Sequence, residues 1–286
     1  MRSKLFVPGS RPELFPKALA SAADALSFDL EDAVQESHKA EARRLVGHAL
    51  RSPEFSVSPK ILIVRVNSLA SPHFEADLAA IIGPRVDLIN LPKVDSAADI
   101  RQAAQALSRL ETELRLPRAI GIMANIETPR GLRLAAEIAT ADPRMTGLQL
   151  ALGDLFEPLG IDRTDAAAVH QMQLAVRLAA GEAGLWACDA AYGAIKDSAG
   201  FRAEALAAKR LGYIGKSCIH PSQIAAANDI FLPDEAEVAF ARRVVAAATQ
   251  AQAGAFTVDG RMIDAPFLKR AHALVAIAHQ FTPPAS

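Results

Sequence analysis

Cysteine is nearly absent from this chain: Cys188 and Cys218 are the only two in 286 residues. They form neither a zinc-like pair nor a disulfide framework, and buried thiols in a reducing compartment are the plain reading. Aromatic residues are scarce, with one Trp and two Tyr. Neither sign of charge dominates, since 31 basic residues stand against 32 acidic ones. That balance gives no reason to expect a nucleic-acid or membrane surface. The opening MRSKLFVPGS has no long apolar core, so neither a signal peptide nor a membrane span is expected, and a cytoplasmic protein is. A glycine-rich turn after the first apolar segment is missing too. That segment ends in Val-Pro-Gly-Ser-Arg-Pro, which argues against a doubly wound open sheet.

What is present is an alternation. Short apolar segments at 4–7, 25–30, 61–66, 86–91, 119–126, 147–152, 185–188 and 213–216 predict strands. Helical patterns rich in Ala, Leu and charge fall between them, at 13–21, 38–50, 74–82, 97–114, 130–139, 166–180 and 201–211. Others follow at 234–252 and 268–280. Eight strands, each followed by a helix and with no break in composition, predict a (β/α)8 barrel. The expected layout is a barrel core over 1–232, with C-terminal helices over 233–286 completing the same domain.

Polar residues gather where these strands end: Asp29, Glu31 and Asp32; Arg65 and Asn67; Lys93; Glu127; Asp154; Asp189; Lys216 and His220. In a barrel all of these lie on one face, where the βα loops build an active site. Glu127 closes the apolar run of GIMANIETPRGL, and a carboxylate there needs a partner. Asp154 follows the neighbouring strand. Two bare carboxylates repel, and one takes up a proton unless a cation intervenes. Two oxygen ligands suit Mg²⁺, which keeps waters or substrate oxygens in its shell. Zinc would favour a softer set. On spacing alone a second account stays open, with Glu127 paired to Arg65 or Arg130 and Asp154 capping a helix. Arg65, in VRVN, offers a planar fork suited to a substrate carboxylate.

The stretches LFVPGSRPELFPKAL, ADALSFDLEDAV, VRVN, LPKV, NIETPRGL, DLFEPLG, GKSCIHPSQI and GRMIDAP run in order from residue 4 to about 267. In order and spacing the chain resembles the citrate lyase beta-subunit-like branch of the HpcH/HpaI aldolase/citrate lyase family. The resemblance implies a (β/α)8 TIM barrel that binds Mg²⁺, with Mn²⁺ as a substitute, and assembles as trimers or hexamers. It also implies an activity: cleavage of a 3-hydroxyacyl-CoA thioester of the malyl-CoA or citramalyl-CoA type to acetyl-CoA and a 2-oxo acid. By that resemblance Glu127 and Asp154 hold the metal and Arg65 contacts the oxo acid. Phe6, Arg11 and Lys17 contact coenzyme A, and Asp264, on a C-terminal helical lid that closes over a neighbouring subunit's site, is the acid/base.

Two cations near a helix N-terminus also make a fair anion site on physical grounds. Asp29, Glu31, Asp32 and Lys93 are expected behind the direct ligands, and Lys216 and His220 in structural hydrogen bonds. One departure stands out. The family writes Gly three residues before the metal Asp, where this chain has Ala151, which bears on substrate identity more than on the metal. Three rival readings remain: the beta subunit of citrate lyase acting on a carrier-protein thioester, an aldolase acting on free hydroxy-oxo acids, and a non-catalytic oxo-acid sensor or scaffold.

Overall fold

The eight apolar runs become strands β1 (Ser3–Pro8), β2 (Ala25–Asp29), β3 (Ile61–Arg65), β4 (Leu88–Leu91), β5 (Gly121–Ile126), β6 (Met145–Leu150), β7 (Trp186–Asp189) and β8 (Gly215–Cys218) in a computed structural model that describes residues 1–249 and 254–281. They close in sequence order, with β8 pairing back onto β1 and every pair parallel. The expected (β/α)8 barrel is what the chain forms.

The near-continuous apolar strands follow from burial on both faces. Side chains alternate across a strand, so Leu26, Phe28, Leu62, Val64, Ile122 and Ala124 pack outward with the helices in one core. Ala25, Ile63 and Met123 turn the other way into a second cluster with Ile61, Leu88 and Trp186. Gly147 makes room for the only tryptophan, because a Cβ there would sit 2.3 Å from the Trp186 ring. The surrounding helices carry their own start signals. Ser96 and Asp99 form a reciprocal capping box for Ala97–Glu113, and Asp165 caps Ala166–Glu182.

The last strand lies two residues later than its apolar run predicts. Tyr213 is taken by the preceding helix, its N–H donating to Ala208 O at 3.1 Å after Gly212 at φ 86°. Its hydroxyl donates to Gln173 O at 2.8 Å. Only then does the chain straighten into β8.

The described residues divide into two compact units, Met1–Phe231 and Leu232–Ser286. In the second, helices Glu235–Ala248 and Ala265–Phe281 accompany a hairpin of β9 (Phe256–Val258) and β10 (Arg261–Ile263). Asp259 and Gly260, at φ 49° and 76°, make its turn, the Asp-Gly signal of a two-residue hairpin. Val244, Val258, Ile263 and Ala271 form its core. Residues 250–252 of the expected 234–252 helix lie outside the described residues. Among the described residues, no helix is long and apolar enough to cross a membrane.

Candidate active site

Glu127 is placed by its own loop. Thr128 accepts a hydrogen bond from Gly131 N–H at 2.8 Å, and Pro129 occupies the start of the helix Pro129–Arg133. Gly131 packs against the carbonyl of Val94; a Cβ there would lie 2.4 Å from that oxygen. The adjacent Lys93 is left-handed at φ 53°, an uncommon and strained setting for a residue with a side chain. In that conformation its backbone N–H donates to Glu127 Oε1 at 2.5 Å, and Asn125 Nδ2 donates to Oε2 at 3.0 Å.

Glu127 is 2% exposed, and among the described residues no cation lies within ion-pair distance. Burial first, then the fields of Asp154 and Glu31, push its pKa up to about 7. Neither Arg65 nor Arg130 is its partner, so the ion-pair account is not what the chain builds. Asp154 stands exposed in the first turn of the short helix Leu152–Phe156, and among the described residues its carboxylate makes no hydrogen bond and no ion pair. Ala151, where the family writes Gly, takes φ −126° and ψ 89°, so the departure needs no left-handed backbone. No cluster of three or more acidic, His or Cys side chains that could hold a metal occurs among the described residues. The donor set is two carboxylates, one of them buried and uncompensated, and that fits a hard divalent cation completed by water or substrate.

Across the barrel mouth Arg65 is gripped from one side. Its Nε and Nη2 donate to the two oxygens of Asp29 at 2.8 and 2.6 Å. Asp29 also accepts from the N–H groups of Glu31 and Ala33. Nη1 lies 3.1 Å from Glu31 and 3.5 Å from Asp32. The Nε–Nη2 fork that the sequence offers to a substrate carboxylate therefore holds Asp29, and Nη1 is the less committed nitrogen. Burial opposes the charge on Arg65, yet Asp29, Glu31 and Asp32 hold its pKa above the ordinary value. Lys93 Nζ donates to Glu31 at 2.7 Å. Burial lifts the Glu31 carboxyl, with Asp32 adding to it.

Asp29, Asp32, Arg65 and Asp154 border a cleft of about 560 Å³ that Phe6, Asn125, Gln149 and Arg163 also line; Glu127, Glu31 and Lys93 lie outside that lining. Of the three residues expected on coenzyme A, one lines the cleft and two are exposed. Phe6 lines the cleft, its ring 5.1 Å from the Arg65 guanidinium. Arg11 is exposed and paired with Glu13, and Lys17 is exposed. Asp264 belongs to the second unit, where its Oδ1 accepts from Phe267 N–H at 3.2 Å as a helix cap. Lys216 is fully buried, its Nζ donating to Asp189 at 2.6 Å, to Ala190 O at 2.8 Å and to Glu204. His220 caps the turn at Ser222, and Asn67 bonds Leu30 O and Asp77. Gln149 and Asn125 went unread in the sequence. A lone amide inside the apolar GLQLAL, and the residue two before Glu127 on the same face, were the available signals.

Known proteins carry the same frame. The solved structure of CitE from Mycobacterium tuberculosis in complex with magnesium, acetoacetate and coenzyme A superposes with a TM-score of 0.75 at 35% identity, covering 98% of this chain and 100% of that one. Citrate lyase subunit beta of Escherichia coli is 37% identical over 97% of this chain and 93% of its own length. The L-malyl-CoA/beta-methylmalyl-CoA lyase of Cereibacter sphaeroides is 33% identical over 98% and 95%. With residues 2–221 also matching the family described as HpcH/HpaI aldolase/citrate lyase, the chain belongs to that family.

Proposed function

We propose that this chain is a magnesium-dependent carbon–carbon lyase that cleaves a 3-hydroxyacyl-CoA thioester to acetyl-CoA and a 2-oxo acid, the reaction type of malyl-CoA and citramalyl-CoA cleavage. The observation that carries it is Glu127, a buried carboxylate that among the described residues has no cation at ion-pair distance, beside Asp154, a second carboxylate with no partner among them. Magnesium held by Glu127 and Asp154 would stabilise negative charge on the oxygen that becomes the oxo group. Arg65, fixed by Asp29, adds a donor through Nη1.

In cleavage the hydroxyl gives its proton to solvent water, the C2–C3 bond breaks, a carbonyl forms at C3, and the electron pair moves to the thioester as an enolate. Asp264 returns a proton to that enolate carbon; in condensation it removes one from the acetyl methyl group. Arg11 and Lys17 supply positive charge for the nucleotide phosphates. The reading includes a cytoplasmic setting, consistent with two free buried cysteines, and a homotrimer or hexamer in which Asp264 serves a neighbouring subunit. The 37% identity to citrate lyase subunit beta favours one second reading, in which the thioester is carried on a carrier protein.

The test is a magnesium assay across a panel of 3-hydroxyacyl-CoA thioesters, following oxo-acid release. Wild type should release oxo acid from at least one, and Asp264→Asn should lose about 10²–10⁴-fold in rate. Release only from a carrier-protein thioester, or only from a free hydroxy-oxo acid, would sink the CoA assignment.

A further inference from the structure

One layer beneath the carboxylates the barrel interior holds a lysine that, among the described residues, has no carboxylate at ion-pair distance. Lys4 on β1 is fully buried. Its ammonium donates to the side-chain oxygen of Gln149 on β6 and sits 4.1 Å from the centre of the Phe6 ring. Among the described residues no carboxylate lies within ion-pair distance of it. The other deeply placed cations differ, since Lys216 meets Asp189 and Glu204, and Arg65 meets Asp29 and Glu31. An isolated buried ammonium is disfavoured. Burial pushes Lys4 down to about 7, with Cys188, Arg65, Asp29 and Cys218 as the titratable or charged groups around it.

The contact also fixes Gln149. As an ammonium Lys4 only donates, and its bond to Gln149 Oε1 leaves the amide NH₂ facing away. That NH₂ has no protein partner among the described residues, and Gln149 lines the cleft. Register sets Gln149 beside Asn125, two residues before Glu127, one pleat below the paired carboxylates. A donor with a cation directly behind it therefore forms part of the cleft lining.

We infer that Gln149, oriented by Lys4, is a specificity-determining residue that reads the far end of the oxo acid and selects one carrying a second carboxylate there. The inference rests on the reaction type proposed above, magnesium-dependent release of a 2-oxo acid, and moves its oxo-acid half from the monocarboxylates of malyl-CoA and citramalyl-CoA cleavage to a dicarboxylate. A terminal carboxylate takes the Gln149 NH₂ and supplies the anion that Lys4 lacks. A terminal hydrogen or methyl leaves both without a partner. Lys4 acts through Gln149 and is a positioning residue.

The test is calorimetric binding of pyruvate and of oxaloacetate to the full-length, magnesium-loaded protein, in wild type, Gln149→Leu, Gln149→Glu and Lys4→Met. Wild type should bind the dicarboxylate about tenfold tighter or more. Gln149→Leu and Lys4→Met should erase that preference. Gln149→Glu should reverse it, because its carboxylate pairs with Lys4 and repels the ligand, an effect no purely structural role produces. If Lys4→Met fails to fold, the two Gln149 variants carry the comparison. Equal or tighter binding of pyruvate by wild type overturns the inference, as does a preference that survives Gln149→Glu. Binding of neither acid overturns the proposed site itself, and the inference with it.

Discussion

Glu127 is held in a position that a metal-free protein tolerates poorly. Among the described residues its neighbours donate two neutral hydrogen bonds and no ion pair, and burial beside Asp154 raises its pKa to about 7. Between the ordinary value near 4.5 and that raised one, the folded chain keeps a proton that the unfolded chain has released. Stability without metal therefore falls as pH rises through this window. The ceiling on that loss is roughly 3 kcal/mol, because each pH unit between the two values contributes about 1.4 kcal/mol. Glu127→Gln cannot titrate, so in chelator it should melt higher than wild type at pH 8, and the gain should be gone by pH 4. The same substitution should abolish magnesium binding in calorimetry. A variant with wild-type melting at both pH values, or with unchanged magnesium affinity, contradicts this account.

At the level of elements, the strand-to-helix turns carry the site and the strand interiors carry the barrel. The motif NIETPRGL was legible because each of its parts has a local reason: an apolar run, a cap, a proline at the helix start and a glycine. What the glycine does was not legible, because its reason is the Val94 carbonyl on another turn. Gly131→Ala puts a Cβ 2.4 Å from that oxygen and should destabilise the fold by about 1–3 kcal/mol. It should also weaken magnesium binding, since Val94 follows the Lys93 N–H that holds Glu127. Unchanged melting and unchanged affinity together would rule out this coupling. Lys93 was expected behind the direct ligands; its ammonium meets Glu31, and its backbone N–H meets Glu127, made available by a left-handed φ that no residue type announces. The β9–β10 hairpin is announced by Asp-Gly in VDGRM, yet its flanking strands are only three residues long, too short to show a period of their own.

For the whole molecule, the proposed chemistry needs groups from both compact units. Glu127, Asp154 and Arg65 belong to Met1–Phe231, and Asp264 to Leu232–Ser286. If Asp264 serves a neighbouring subunit, two inactive variants should complement each other. Mixed oligomers of Glu127→Ala and Asp264→Asn, formed by subunit exchange, should regain a measurable share of wild-type activity, because some sites then combine an intact metal seat with an intact acid/base. No recovery, with exchange verified by mass spectrometry of the mixed assemblies, would place both groups in one subunit's site.

The eight-stranded alternation, the crowding of polar residues at the strand ends and the want of a partner for Glu127 are all written along the chain. Those are consequences of local periodicity and of the high cost of burying charge, and both are readable along a single chain. Which charges meet is settled by folding. It gave the fork of Arg65 to Asp29 and drew Lys216 into an ion pair with Asp189 and Glu204. It also set Lys4 against Gln149, with no carboxylate at ion-pair distance among the described residues. Lys4 and Gln149 are 145 residues apart and become neighbours through closure of the barrel. No pattern along the chain encodes that contact.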